Sequence, residues 1–334
     1  MHVDVIILTY GEPQKNSFWE HWIYSNRILE KLTRRVVPIP RFAVPFFGAY
    51  RAMMRTRLWR KHGYGSPLEL ITEDQRAGIE KYLKELEPSV KWRVRVVYDF
   101  RDPPLVPLLD HLTRWQCERL VFMPMYLPVS DFTHEISWRD YMLFQSNTTI
   151  PLPLARLVIL RPYLHELAEI LAQYITTQVN RRLVHQKSGD FALVLGCHGT
   201  LVHPPEGIKD TGYRDTFKTY QLLETLLRPQ FKAMGIGWLN HRLGGEWTRP
   251  TLEETVKTMQ GRGIRQFIYY PFGFLADNAE TQLEGRTVFT ACGVKETHHL
   301  PCINENPEFL QFLAKLIIHK SLLADRAVSK DAAA

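Results

Sequence analysis

Short runs of apolar residues recur along the chain, separated by longer segments whose apolar residues follow helical spacing. Apolar runs of strand length, without polar alternation, are typical of strands buried on both faces of a parallel sheet. We predict strands at Val3–Leu8, Val94–Tyr98, Leu120–Met125, Leu157–Leu160, Phe191–Leu195, Ile236–Asn240 and Phe267–Pro271. We predict helices at Thr72–Leu86, Leu105–Trp115, Tyr163–Val179, Tyr213–Ala233, Leu252–Gly261, Asp277–Cys292 and Pro307–Lys320.

The alternation of strands and helices predicts right-handed βαβ units, and therefore an α/β fold with parallel, Rossmann-like sheets. The polar stretch Asn180–Asp190 is the best candidate for a linker. We therefore expect two lobes, residues 1–180 and 181–325, each a parallel sheet flanked by helices, with the last helix packing back. Because ligands of open α/β sheets bind beyond the carboxyl ends of the strands, we expect the active-site cleft between the lobes.

The segment Val36–Met54 departs from this rhythm because it is apolar and aromatic and is interrupted by prolines. Arginines flank it on both sides, at Arg34, Arg35, Arg55 and Arg57. One interpretation is a buried, irregular crossover between regular elements. The other is a flexible lip over a flat hydrophobic ligand, which also contacts a membrane surface.

Composition restricts the class of protein further. The 334 residues are 45% hydrophobic and 23% charged, which is typical of a folded protein with an ample core. A total of 42 Lys and Arg against 35 Asp and Glu gives a net charge of +7, and the positive residues are concentrated from Arg27 to Arg60. This charge suits an anionic ligand or an anionic membrane surface. No nucleic-acid-binding motif accompanies it, so we expect no nucleic-acid partner.

Missing motifs exclude several kinds of site. The four cysteines form no CxxC pair, which argues against a structural zinc site or a redox dithiol. No GxGxxG loop follows the first strand, and no GxxxxGK[ST] or GxSxG motif occurs, so neither a nucleotide cofactor nor serine-hydrolase chemistry is indicated. The chain starts directly on a predicted strand, and no uncharged apolar run reaches the roughly eighteen residues of a membrane helix. We therefore expect a cytoplasmic protein.

The strongest candidates for chemistry are His198, Glu280 and Glu284, because each follows the carboxyl end of a predicted strand. Neutral imidazole and carboxylate can both move protons and bind a cation. Two glutamates four residues apart share one face of a helix, where they repel each other by roughly 0.2–0.5 kcal/mol unless a proton or cation lies between them.

Structural interpretations of these residues remain open at this point. His198 is also consistent with a core histidine bonded to the backbone, although the neighbouring Gly196 and Gly199 favour close approach to a ligand. Asp277 and Glu280 have the spacing of a helix capping box. Capping would explain these two acids but not Glu284.

Motifs along nearly the whole chain resemble the ferrochelatase family. The segment Pro271–Glu284 (PFGFLADNAETQLE) is similar to that family's P-x-G-F-x-S-D-H-x-E-T-x-x-E. The segment Gly196–Thr200 (GCHGT) resembles the S-A-H-G/S motif that carries the family's active-site histidine. Three further resemblances, in family order, lie at Gly65–Gln75, Tyr126–Thr133 and Pro301–Pro307.

The sequence departs from the family pattern at a few positions. Gly196 and Cys197 stand where the family has Ser-Ala, Asn278 replaces a frequent histidine, and Leu127 replaces a proline. These departures concern fine substrate contacts more than the reaction. The chain has no carboxy-terminal cysteine cluster, so we expect no iron–sulfur cluster.

The resemblance implies a lyase of haem biosynthesis that inserts Fe2+, as a substrate, into a porphyrin, without a resident cofactor. It implies that His198 accepts a pyrrole proton or contacts the metal, that Glu280 holds or delivers Fe2+, and that Glu284 extends the acidic path. Tyr10 resembles a tyrosine that approaches the metal from the opposite face in coproporphyrin-using members.

The implied substrate contacts lie in the first lobe, and both coproporphyrin III and protoporphyrin IX remain candidate substrates. The four carboxylates of coproporphyrin, against two on protoporphyrin, suit the basic first lobe better. A monomer and a homodimer are equally compatible with the sequence. The implied substrate contacts are Tyr10, Ser66, Gln75, Tyr126 and Arg27.

Two other functions fit parts of the pattern. A cobalt or nickel chelatase acting on a sirohydrochlorin-type ring would have the same two-lobed architecture, with more histidines in the cleft and a more polar lip. A non-catalytic tetrapyrrole-binding protein would keep the lip and Tyr10 but would not need both His198 and Glu280.

Overall fold

The computed structural model describes residues 1–112, 117–148, 152–184, 186–241 and 244–323. Within these ranges the chain forms two parallel four-stranded sheets, which confirms the predicted two-lobed, Rossmann-like α/β fold. The first sheet has the order β2-β1-β3-β4, with β1 (His2–Thr9), β2 (Lys91–Tyr98), β3 (Arg119–Pro124) and β4 (Leu154–Leu157). The second has the order β6-β5-β7-β8, with β5 (Ala192–His198), β6 (Ala233–Leu239), β7 (Gln266–Tyr270) and β8 (Glu296–His299).

Helices connect the strands of both sheets. They are α1 (Phe18–Ile28), α2 (Arg34–Val36), α3 (Val44–Lys61), α4 (Leu68–Leu86), α5 (Leu105–Leu112), α6 (His134–Asn147), α7 (Leu164–Arg182), α8 (Tyr213–Leu227), α9 (Leu252–Gly261), α10 (Gly285–Ala291) and α11 (Pro307–Leu322). Two π-helical turns, Leu29–Thr33 and Glu280–Glu284, precede α2 and α10. No helix in the described ranges is both long enough and apolar enough to span a bilayer.

Local sequence explains where α9 and α11 begin. Thr251 accepts the backbone N–H of Glu254, whose side chain accepts the Thr251 N–H in return, so a reciprocal capping box starts α9. Asn306 caps α11 by accepting the Phe309 N–H, and Pro307 occupies the first helical position, where a missing N–H costs nothing.

The sequence pattern missed or misplaced some elements. Strand β8 is partly exposed and reads Glu-Thr-His-His, so it lacks the apolar run that reveals a buried strand. Strand β4 lies at Leu154–Leu157, ahead of the predicted Leu157–Leu160. The predicted linker is shorter than expected because α7 continues to Arg182. The predicted helix end at 113–115 and residue 185 of the linker lie outside the described residues.

The predicted lip segment Val36–Met54 is mostly helical, and it carries several exposed aromatic side chains. Helix α3 begins at Val44, with Pro45 in its first turn, and continues to Lys61. The interpretation as a buried, irregular crossover is therefore wrong. The prolines do not prevent a helix here, because proline in a first turn is compatible with helical backbone. Phe42 and Phe46 are 78% and 74% exposed.

One hydrophobic core extends through both lobes. It includes apolar residues of β1 and β3 from the first sheet and of β5 and β7 from the second. Helix α11 packs on α4 and β3 of the first lobe and buries Phe309, Leu313 and Ile317 completely. Each such side chain contributes roughly 1.5–3 kcal/mol when buried. The two lobes therefore hold each other in place on either side of the cleft.

Candidate active site in the cleft between the lobes

His198 and Glu280 form a hydrogen-bonded pair at the carboxyl edge of the second sheet. Strand β5 ends at His198, and the pair joins residues 82 positions apart, with 2.7 Å between Nδ1 of His198 and Oε2 of Glu280. Burial opposes both charges, but the partner outweighs it in each case. The Glu280 carboxylate therefore raises the pKa of His198, and His198 helps to hold the pKa of Glu280 at about 2. The His198 side chain remains 44% exposed, so its other nitrogen is accessible to a ligand.

The turn that delivers Glu280 is capped by Asn278 rather than by Asp277. The Asn278 side-chain oxygen accepts the backbone N–H groups of Glu280 (2.9 Å) and Thr281 (3.2 Å). Asp277 instead accepts bonds from the Cys302 N–H and the Asn304 side chain, which fix the loop before the last helix. The capping-box interpretation of Asp277 and Glu280 is therefore wrong, and the Glu280 carboxylate is available to the cleft.

The backbone from Glu280 to Glu284 is π-helical, with the Gly285 N–H bonded to the Glu280 carbonyl. Single π-helical turns within helices occur frequently at functional sites. Burial and repulsion by Glu280 raise the pKa of Glu284 to about 7. The two glutamates thus differ widely in proton affinity, and Glu284 can take up or release a proton near neutral pH.

A second charge pair, between the buried Glu12 and the partly buried Arg55, faces the two glutamates from the first lobe. Oε1 of Glu12 lies 3.4 Å from Nη2 of Arg55, and Oε2 accepts bonds from Ser66 Oγ (2.6 Å) and the Ala279 N–H (3.1 Å). Burial raises the pKa of Glu12 even though Arg55 opposes the shift. Because Ala279 directly precedes Glu280, these bonds attach the turn that carries Glu280 to the first lobe, which carries α3.

His241 adds a second imidazole beside His198. It follows β6, whose last residues pair with the end of β5, and its ring centroid lies 5.0 Å from that of His198 and 5.2 Å from that of Trp247. Desolvation in the cleft and repulsion by His198 lower the pKa of His241 to about 4. His241 is therefore neutral at physiological pH.

Tyr10 follows β1 and lies on the first-lobe side of the cleft. Its ring packs against Tyr126 (4.7 Å between centroids) and Phe100 (5.0 Å), and its hydroxyl donates to the Phe132 carbonyl. Tyr126 in turn donates to Asp99 Oδ2 (3.1 Å). Burial and the negative charges of Asp99 and Glu280 raise the pKa of Tyr10, so its phenol stays protonated.

The remaining predicted substrate contacts have other partners. Ser66 donates to Glu12, and Arg27 forms an ion pair with Asp102 at 3.1 Å (Nη2–Oδ1). Gln75 is fully buried, and its side-chain amide donates to the carbonyls of Leu275 and Asn304 at 2.9 Å each. The structure does not bring Gln75 to the cleft surface, and its contacts support a role in joining the lobes.

Sequence reasoning missed Glu12, Arg55, His241 and Asp99. Glu12, His241 and Asp99 lie just beyond the carboxyl ends of β1, β6 and β2, so their positions after strands were the available signal. Arg55 had no such signal, because its side chain reaches the cleft only through the helical conformation of α3.

The geometry supports proton transfer at an imidazole next to a negatively charged pocket. Nδ1 of His198 is engaged by Glu280, which leaves Nε2 as the nitrogen that can accept a proton from a ligand. Glu280 and Glu284 supply the carboxylate oxygens that attract a divalent cation. Among the described side chains, no group of three His, Cys, Asp or Glu is arranged to hold a metal ion.

Comparison with known sequences confirms the resemblance that the motifs suggested. The ferrochelatase family model matches residues 2–321. The chain is 28% identical over 330 residues to a ferrochelatase of Helicobacter acinonychis, covering 94% of this chain and 91% of that protein. It is 25% identical over 344 residues to a ferrochelatase of Gloeothece citriformis, covering 95% and 82% respectively.

Solved structures share the fold at low sequence identity. SirB from Bacillus subtilis with Fe3+ aligns with a TM-score of 0.57 at 9% identity and covers 96% of each chain. CbiX, the terminal enzyme for siroheme biosynthesis in denitrifying bacteria, aligns with a TM-score of 0.51 at 12% identity, covering 96% of this chain and 100% of that one. At these identities the likeness concerns the arrangement of the two sheets alone.

Proposed function

We propose that this chain, which belongs to the ferrochelatase family, inserts ferrous iron into a porphyrin ring. Family membership makes it a metal chelatase, and the choice of Fe2+ and of a particular porphyrin is our proposal. The observation that carries the proposal is the hydrogen bond between His198 and Glu280, which unites the two most family-like motifs in one cleft. The iron is a substrate and stays in the +2 state.

The proposed reaction exchanges two protons for one metal ion. The porphyrin loses its two pyrrole N–H protons while Fe2+ binds the four ring nitrogens. Nε2 of His198 accepts a pyrrole proton, and the Glu280 carboxylate stabilises the imidazolium that forms. Glu280 and Glu284 attract Fe2+ and then pass protons towards solvent. Tyr10 and Tyr126 supply an aromatic surface on the first-lobe side, and Ser66 and Arg27 are proposed to contact substrate carboxylates.

We propose coproporphyrin III as the preferred porphyrin because the lip region is strongly basic. No acidic residue lies between Glu30 and Glu69, and a larger number of carboxylates on the ring favours binding there. The basic residues of this stretch are Lys31, Arg34, Arg35, Arg41, Arg51, Arg55, Arg57, Arg60 and Lys61.

An anaerobic absorbance assay with Fe2+ and each porphyrin tests the reaction and its specificity. We expect insertion into both rings, with a higher kcat/KM for coproporphyrin III, and a loss of this preference at high salt because screening weakens the attraction. Equal or higher kcat/KM for protoporphyrin IX would exclude the proposed preference. The absence of insertion into either ring would exclude the proposed reaction.

One observation favours a second candidate function, insertion of cobalt or nickel into a sirohydrochlorin-type ring. His241 places a second imidazole in the cleft, and imidazole is a good ligand for both metals. The same assay with Co2+, Ni2+ and sirohydrochlorin separates the two functions. A non-catalytic tetrapyrrole binder is disfavoured, because simple binding does not require the His198–Glu280 pair.

We also propose that the enzyme is cytoplasmic and contacts anionic lipid. The contact is an apolar face formed by α1, the turn Arg41–Ala43 and α3. Its exposed side chains lie next to the basic stretch, which is complementary to lipid phosphates. They are Trp19 (66% exposed), Ile23 (47%), Phe42 (78%), Phe46 (74%), Phe47 (52%), Tyr50 (62%) and Met54 (48%). Monomer and homodimer remain equally compatible with this arrangement.

Co-sedimentation with vesicles tests this face. We expect the chain to bind phosphatidylglycerol-containing vesicles but not pure phosphatidylcholine, and to be released by salt. The double substitution Phe42→Ser and Phe46→Ser is expected to weaken binding roughly tenfold or more, because each buried aromatic ring contributes about 1.5–3 kcal/mol. Leu70→Ser, at a site on α4 that is 73% exposed, serves as the control. Unchanged binding of the Phe variant would rule out this face.

A further inference from the structure

Tyr269, on β7, lies between the two backbone segments that carry the catalytic pair. The residue is fully buried, and its phenol end contacts the backbone of Gly196 on one side and of Gly285 on the other. A Cβ atom at Gly196 would lie 2.4 Å from Cε2 and from the hydroxyl oxygen of Tyr269. A Cβ atom at Gly285 would lie 2.6 Å from the same oxygen. Any larger residue at either position therefore collides with the ring.

The two glycines lie close in sequence to the reacting groups. Gly196 is two residues before His198 on β5, and Gly285 directly follows Glu284 at the end of the π-helical turn. The Tyr269 phenol therefore separates β5, which carries His198, from the π-helical turn, which carries Glu280 and Glu284.

The Tyr269 ring has no room to rotate away from this position. Phe289 packs against it at 5.3 Å between ring centroids, and His299 packs against it at 5.4 Å. Its hydroxyl has no hydrogen-bond partner among the described residues. Tyr269 therefore keeps the two backbone segments apart through the volume of its side chain. A buried hydroxyl without a hydrogen bond is unfavourable, so hydrogen bonding does not explain why tyrosine occupies this position.

We propose that Tyr269 is a positioning residue that sets the spacing between His198 and Glu280, and that Gly196 and Gly285 are the complementary positions that admit it. This inference rests on the proposed metal insertion for its kinetic consequence, but the packing itself does not depend on that function. It also explains the unusual glycine before Cys197: the serine that the family has at this position does not fit beside Tyr269.

A double-mutant cycle tests the proposal with Gly196→Ser, Tyr269→Val and the combination of both. Gly196→Ser is expected to lower kcat roughly 100-fold, as displacement of a catalytic group by about 1 Å does, while KM for the porphyrin changes by less than about twofold. The control is Gly189→Ser, which makes the same change where a Cβ meets no atom within 4 Å. The double variant is expected to recover most of kcat, because valine vacates the space that the serine side chain occupies.

Thermal denaturation of the same variants gives a second readout that needs no activity. The double variant should melt at a higher temperature than Gly196→Ser, since each change compensates for the other. Wild-type kcat in Gly196→Ser, or a double variant as slow as the slower single variant, would overturn the proposal. If the wild-type chain inserts no metal, the proposed function fails separately. In that case the spacing role of Tyr269 is tested by melting temperature alone. A double variant that melts no higher than Gly196→Ser would overturn it.

Discussion

Replacing His198 with alanine is expected to lower the rate of metal insertion roughly 100- to 10,000-fold, the usual contribution of a positioned acid–base group. The variant loses the imidazole whose Nδ1 is held by Glu280 and whose Nε2 is left for a ligand. Porphyrin affinity should change little, because the aromatic surface around Tyr10 and the basic lip remain. Anaerobic kinetics with Fe2+ measure the rate, and quenching of porphyrin fluorescence measures binding.

His203→Ala provides a matched control for this experiment, because its side chain is 81% exposed and its ion-pair partner is Glu246 rather than Glu280. The control should retain wild-type kinetics. A His198→Ala variant with near-normal kcat would remove His198 from the mechanism. A variant that loses both porphyrin binding and turnover would indicate a structural role instead.

The substitution Glu280→Gln is expected to reduce kcat/KM for Fe2+ roughly 10- to 100-fold, as loss of a group that orients a metal-site histidine does. Glutamine keeps the size of the side chain and can still accept a hydrogen bond, but it removes the negative charge that attracts the cation. Comparison with Glu305→Gln, an exposed position before the last helix, controls for the chemical change itself.

The pH profile of Glu280→Gln should also move in a defined direction. In the wild-type protein the charge of Glu280 raises the pKa of His198 and, together with burial, raises that of Glu284 to about 7. Activity therefore falls as the pH drops through the pKa values of His198 and Glu284, because both groups become protonated. Removing the charge lowers both pKa values, so the acid limb of the profile should shift to lower pH. A shift to higher pH, or none, would contradict the proposed electrostatic coupling.

Much of the fold follows from periodicity along the chain. Continuous apolar runs are buried on both faces of a sheet, and their alternation with helices leaves few arrangements other than parallel βαβ units. For this reason β1, β3 and β7 were predicted to within one residue of their observed bounds. Strand β8 was missed because an edge strand can be polar and still complete a sheet. The helical conformation of residues 44–54 was not predicted because proline interrupts most helices but is favourable in a first turn, where Pro45 lies.

For this protein the sequence alone determined the fold class and the family resemblance, and it predicted His198 and Glu280 as the central chemical groups. Each of these depends on local spacing or on motifs, which are properties of the linear chain. Only the tertiary structure decided that Asn278 caps the turn, that Glu12 and Arg55 face the acids, and that Tyr269 lies between Gly196 and Gly285. The bond from Ala279 to Glu12 spans 267 positions, and the His198–Glu280 bond spans 82. Such contacts depend on how the two lobes pack together, and no short-range pattern specifies that packing.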